Sequence, residues 1–185
     1  TYVARDDAVY LVDTGKVANI FGSRLSFVNK QVTPGSEQAR IKEIHLSGIS
    51  YNAPISIESA GENDATAYTG LGAYNITAPI QAVLNGDMLQ VLQGVYGITA
   101  AETVTAAGFQ DPAVAEYGLD EPHCHVDVSS MPPAAEGVEE YPDFTVVTSA
   151  PDEEGNVYVQ STLQDYIHRM LAASLLFLDL ELFAL

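Results

Sequence analysis

Short apolar runs separated by turn sequences constrain this chain more than any other feature. Tyr2–Ala4 and Ala8–Val12 flank Arg5-Asp6-Asp7, and residues 41–49 and 54–58 flank Tyr51-Asn52-Ala53-Pro54. Phe144–Thr148 and Asn156–Val159 flank Asp152-Glu153-Glu154-Gly155. Strand-length runs bounded by Asp, Asn, Gly and Pro read as antiparallel hairpins, because those residues make local turn hydrogen bonds or adopt turn backbone angles at little cost. Arg24–Val32 alternates loosely as a further strand and His123–Val128 alternates clearly, whereas Asp13-Thr14-Gly15-Lys16 reads as a turn and residues 59–73 as a Gly, Ala and Thr-rich loop.

Helical spacing interrupts this pattern. Ile80, Val83, Leu84, Met88, Val91, Leu92 and Val95 recur at i, i+3, i+4, with Pro79 ahead of them and Gly94 and Gly97 behind, and predict a helix over 80–95. Asp111-Pro112 opens a shorter helix that stops at Gly118. Ser161-Thr162-Leu163-Gln164 reads as a capping box for a helix running to Leu175, with Leu163, Ile167, Met170, Leu171 and Leu175 as its apolar face. With no strand–helix–strand alternation, the expected class is α+β: a mostly antiparallel meander sheet with two or three helices packed on one face.

At 185 residues the chain is long enough for a full core, and 47% apolar against 17% charged residues excludes charge-rich disorder. The net charge of -18 repels nucleic-acid phosphates and anionic lipid, so no nucleic-acid partner is expected. Six of the seven basic residues (Arg5, Lys16, Arg24, Lys30, Arg40, Lys42) lie in the first 42 positions, and only Arg169 follows them. This shift, with the break at Thr33-Pro34-Gly35-Ser36, divides the chain into a β-rich leader over 1–40 and an α+β domain over 41–185. Tyr2-Val3 followed by Val9-Tyr10-Leu11-Val12 faintly echoes the Tyr158-Val159 region, as if the leader were the tail of a preceding repeat. The start at Thr1 reads as a trimmed chain with any signal out of view. Leu171–Leu185, which carries Asp179 and Glu181, is too short and too charged to span a bilayer, so membrane attachment is expected only through an anchor this chain lacks.

Candidate chemistry is sparse. In His123-Cys124-His125 the two imidazoles fall on one face of a strand and could share a zinc ion, with Cys124 directed the other way. A third ligand would have to come through folding from His45, His168 or Asp127; the plainer reading is a half-exposed strand with a buried cysteine. The single cysteine excludes an internal disulfide. Asp13-Thr14-Gly15 matches the aspartic-protease tripeptide, but only one copy occurs and the same residues make an ordinary turn. The acidic groups Glu136/Glu139/Glu140/Asp143 and Asp152/Glu153/Glu154 suggest calcium, yet a loop begun at Asp152 would place Val157 and Leu163 where an EF-hand needs Gly and Glu. Gly70-Leu71-Gly72 is not a dinucleotide loop, no phosphate-binding Gly-Lys-Ser/Thr or Gly-x-Ser-x-Gly sequence occurs, and Asn75-Ile76-Thr77 is a chance-prone sequon. No catalytic set and no cofactor are expected.

Glu116-Tyr117-Gly118-Leu119-Asp120-Glu121-Pro122, followed by an alternating strand, resembles the bacterial domain of unknown function 4340. Tyr74-Asn75-Ile76-Thr77-Ala78-Pro79 and the Val157-Tyr158-Val159 segment with its apolar continuation fall in the order of that family, although Tyr74 stands where Trp is expected and residues 129–143 replace a tight turn. The resemblance implies a full repeat over 41–185 and an extracytoplasmic, lipoprotein-like envelope or surface protein, with partners of the ABC-transporter-subunit kind and no established catalytic residues. The leading expectation is therefore a non-enzymatic binding or scaffolding module of a bacterial envelope assembly. Its alternatives are a metal-dependent enzyme at His123 and His125, and a carbohydrate-binding surface built from Tyr68, Tyr74 and Tyr141.

Overall fold

The computed structural model describes residues 2–5, 8–11, 23–35, 41–60, 74–85, 89–131, 141–178 and 180. Among these residues two antiparallel sheets form. Strands β1 (Tyr2–Arg5) and β2 (Ala8–Leu11) pair as a hairpin, Tyr2 against Leu11. The other nine strands are β3 (Ile41–Ser47), β4 (Ile55–Ser59), β5 (Tyr74–Ala78), β6 (Ala82–Val83), β7 (Glu102–Ala106), β8 (Cys124–Ser130), β9 (Phe144–Thr148), β10 (Asn156–Ser161) and β11 (Tyr166–Leu171). They make one sheet in the order β6-β5-β4-β3-β8-β9-β10-β11-β7. Two meanders, β3 to β6 and β8 to β11, meet at the β3–β8 pairing, and β7 closes the far edge.

The expected α+β class, with two or three helices on one face, is overturned. Among the described residues the helical segments are α1 (Leu89–Gln93) and short 3₁₀ turns, the longest of them Pro112–Tyr117. Within the predicted 80–95 helix, Ala82 and Val83 instead pair with Ile76 and Asn75, and the Leu84 N–H donates to Tyr74 O (2.9 Å). Backbone demand explains the difference: β5 would otherwise leave an unpaired edge, and Asn85-Gly86 in mid-run is a turn signal rather than a helix former. Val83 is 67% exposed, so the apolar periodicity did not mark one buried face.

The predicted helix from Ser161 is a hairpin turn followed by β11. Ser161 Oγ does accept from the Leu163 N–H (3.2 Å), as a cap would, but the same bond also closes a serine turn between strands. Ile167 and Met170, assigned to one helix face, lie in separate clusters on opposite faces of the sheet, and Leu171 is 54% exposed. Arg24–Val32 is not a strand either: Arg24–Phe27 is a 3₁₀ turn capped by Ser23, and only Gln31 bridges, to Thr99. The strands expected at 41–49, 54–58, His123–Val128, Phe144–Thr148 and Asn156–Val159 are found, and the short helix expected from Asp111 to Gly118 is a 3₁₀ segment, Pro112–Tyr117, with Asp111 and Gly118 as its caps. The turn at 13–16 and residues 61–73 of the 59–73 loop lie outside the described residues. Of the 1–40 leader, residues 30–34 join the body: Val32 N–H to Ile98 O (2.8 Å), Ala100 N–H to Lys30 O (2.9 Å) and Gly97 N–H to Pro34 O (2.6 Å).

The connections cover the sheet. Between β6 on one edge and β7 on the other, Leu84, Leu92, Val95, Tyr96, Ile98 and Ala100 are buried with Ile44, Leu46, Ile57, Val126, Val128 and Val146, and Tyr96 meets Phe144 edge-on at 5.2 Å. From β7 the chain returns to the central β8 over the other face. There Ala107 and Leu119 pack with Val147 and Ile167, and Tyr117 meets the Tyr158 ring at 4.9 Å. Gly118, at φ +66°, turns this passage toward β8, which is the structural role of the Tyr117–Pro122 motif.

Rows of apolar side chains in register across strands carry the core. Ile44, fully buried between Ile57 and Val128, is the test: Ile44→Ala should lower unfolding free energy by about 2–5 kcal/mol. Val83→Ala on the exposed edge should stay within about 0.5 kcal/mol, both read from urea midpoints.

Candidate functional site

The return passage covers the second face only over β9 to β11. Over β4, β3 and β8 that face carries polar side chains, because each strand alternates: Glu43, His45 and Ser47 on β3, Ser56 and Glu58 on β4, His125, Asp127 and Ser129 on β8. Register aligns them into rows. Ser56, His45, Asp127 and Thr145 are successive cross-strand neighbours, and so are Glu58, Glu43 and Ser129.

These side chains bond to one another. Asp127 Oδ1 accepts from Thr145 Oγ1 (2.6 Å) and lies 3.2 Å from His125 Nε2, while His45 Nδ1 lies 2.7 Å from Ser56 Oγ. Thr77 Oγ1 donates to Glu58 Oε1 (3.2 Å). The Ser56–His45–Asp127 row has the residue types of a catalytic triad without its connections. A triad needs one imidazole held by the carboxylate and facing the hydroxyl, whereas the Asp127 bonds run to His125 and Thr145. The backbone N–H groups of the paired strands are also committed to the sheet, so the row itself offers no oxyanion donors. What the arrangement offers is a flat, preordered hydrogen-bonding surface. A shallow cleft of about 230 Å³ at one end is lined by Asp127, Ser129, Asp143, Phe144, Thr145 and Thr162. Asp143 accepts there from the Ser130 N–H (2.7 Å).

His123 precedes β8 and is half-buried; its N–H donates to Thr148 O and its carbonyl accepts from the Ser50 N–H, both at 2.9 Å. His125 stands on the open face beside Asp127. Cys124 points into the core, Sγ 3.5 Å from the Tyr51 hydroxyl. Of the possible third ligands, Asp127 and His45 share the open face, and His168 is buried on β11. Among the described residues no three His, Cys, Asp or Glu side chains come together closely enough to hold a metal ion. Tyr74 is a core residue, its hydroxyl donating to Ile41 O (3.1 Å), while Tyr141 is half-buried and Tyr68 lies outside the described residues. So do Asp13-Thr14-Gly15, Gly70-Leu71-Gly72 and Glu136/Glu139/Glu140.

The 152–154 acidic group is occupied by the chain itself. Asp152 Oδ1 accepts from the N–H groups of Glu154 and Asn156, and Arg169 reaches Asp152 Oδ2 and Glu154 Oε2, each at 3.0 Å. The Asn156 N–H, and then the Arg169 guanidinium, hold the Asp152 carboxyl below its ordinary value of 3.8.

Sequence reading missed Ser56 and Thr145 altogether and met His45 and Asp127 only as spare ligands. Alternation signals such residues on each strand, but the register that aligns them is tertiary. No protein-family model, curated protein or solved structure matches this chain.

Two outcomes test this geometry. Gly48 has φ +120°, and a Cβ there would sit 2.6 Å from His123 O, so Gly48→Ala should cost on the order of 1–3 kcal/mol and shift the His123 ring signals in NMR. A carboxyl with a lowered folded pKa stabilises above its unfolded value and loses that contribution as pH falls. Asp152→Asn should therefore be less stable than wild type at neutral pH, the gap closing as pH drops below 3.8 in thermal melts.

Proposed function

We propose that this chain is a non-enzymatic binding module of an extracytoplasmic envelope assembly, docking a protein partner on the open face of β4, β3 and β8. The observation that carries the reading is that face itself: half-exposed polar side chains from three adjacent strands, tied into fixed positions by hydrogen bonds with one another and with Thr77 and Thr145, over a packed core. Preordered side chains lose little freedom when a partner adds its own hydrogen bonds, which lowers the entropic cost of docking. Glu43, Glu58, Asp127 and Asp143 make the face acidic, in a chain of net charge -18, so the complementary surface is basic. The envelope setting, and ABC-transporter subunits as the partner class, rest on the sequence resemblance carried by Glu116–Pro122, Tyr74–Pro79 and Val157–Val159.

The second reading, a metal-dependent enzyme, rests on His125 and Asp127 standing 3.2 Å apart, with His123 two residues before His125. Cross-linking of the full-length protein in its native envelope, followed by mass spectrometry, separates the two. Wild type should recover a basic partner, with yield falling as salt rises. A Glu43→Lys/Glu58→Lys variant should recover about tenfold less, equivalent to ~1.4 kcal/mol. Equal recovery by both proteins would remove the open face from the reading. Stoichiometric zinc in protein purified without added metal, lost in His123→Ala/His125→Ala, would establish the metal site instead.

A further inference from the structure

His168 lies on the packed face of β11, fully buried, in a row with Cys124, Thr148 and Val159. Its Nδ1 is 3.2 Å from Thr103 Oγ1 on β7, and its Nε2 meets no hydrogen-bond partner. A bare ring nitrogen is tolerable as an unused acceptor. Once protonated it becomes a buried donor on a buried cation, which is far more costly. The surroundings compensate only in part. From the 28–35 segment Lys30 contributes a like charge; from β7 Thr103 is neutral and Glu102 offers only its backbone carbonyl. From β10 and β9 come Val159 and Thr148, and on β11 itself the charge of Arg169 is taken up by Asp152 and Glu154. Burial pushes the imidazole pKa below its ordinary 6.5; the Glu102 backbone carbonyl opposes that push, and the Lys30 charge adds a smaller one in the same direction as burial.

The element facing His168 lies at an edge of the sheet. Among the described residues edge strand β7 pairs only with β11, through a register shift between Ile167 and His168. Residues 30–34 hang on the same edge and the loop before it, through Lys30 Nζ to Ala101 O and the backbone bonds to Ile98 and Ala100. We infer that His168 is a pin that holds only while neutral, and that its protonation frees β7, with residues 30–34, from the sheet and bares the β11 edge. The direction follows from linkage: the folded form binds the proton less readily than the open form, so closure is complete above pH 6.5 and weakens by up to about tenfold per pH unit below it. A bared β11 edge presents unpaired backbone groups able to accept another strand.

Hydrogen exchange on the whole chain between pH 7.5 and 5, corrected for intrinsic rates and paired with an NMR titration of the His168 ring, tests this. Amides of β7 and of Val32, Ile98 and Ala100 should lose protection with the midpoint of the ring titration, while those of Ile44 and Val126 keep theirs. His168→Gln should abolish the pH dependence of the β7 amides. Loss of protection across the whole sheet at once, ring protonation with β7 still protected, or the same local loss in His168→Gln would each overturn the inference. The first two are read on wild type, so the test stands even if the variant does not fold.

Discussion

The structure depends on burying one face of a nine-stranded sheet with chain that is not itself regular. Ile76, Ile57, Ile44, Val128 and Phe144 form one cross-strand row, and Ile55, Leu46, Val126 and Val146 the next. A row of that kind is stable only when water is kept off it. Among the described residues α1 is a helix of five residues, so the cover comes from the connection between β6 and β7, with Val32, Leu175 and Phe177 beside it. Polar anchors hold this irregular cover in place: the Tyr51 hydroxyl donates to Phe177 O (2.5 Å), and the Thr33 hydroxyl accepts from the Ile98 N–H (3.0 Å).

The same topology decides where function is available. To travel from one edge of the sheet to the other and back to its centre, the chain crosses both faces, but the return leg is shorter and reaches only β9 to β11. The part that the described residues leave uncovered is where every outward side chain of β3, β4 and β8 is polar. Hydrogen bonds such as Thr145 to Asp127 let those groups remain half-buried beside the covered part without an unpaired donor. The chemistry of the site therefore lies in a surface rather than a pocket, and its residues come from segments more than 80 positions apart.

Local signals were legible where one local structure satisfied them. Asp111-Pro112 and Gly118 bracket a turn whatever surrounds them, and strands such as Cys124–Ser130 alternate between a buried and an open face. The readings at 80–95 and 161–175 went astray because their cues are shared. A serine oxygen accepting an N–H two residues on serves a helix start and a hairpin turn equally, and i, i+3, i+4 apolar spacing is also met by a strand followed by a short helix. The unpaired edges of β5 and β10 decided both cases, and a sheet edge is not a local property.

By itself the sequence determined the strands β1 to β4 and β8 to β10, most of the turns between them, the acidity of the whole chain and the polarity of one side of β3, β4 and β8. These are set by neighbours within a few residues or by composition. Only the tertiary structure decided which strands adjoin, that strands β6 and β11 stand within two expected helices, and that Ser56, His45, Asp127 and Thr145 stand in one row. It also decided that His168 is sealed against Thr103. Each of these is fixed by backbone hydrogen bonds and burial between segments far apart in the chain, and residue spacing carries no record of them.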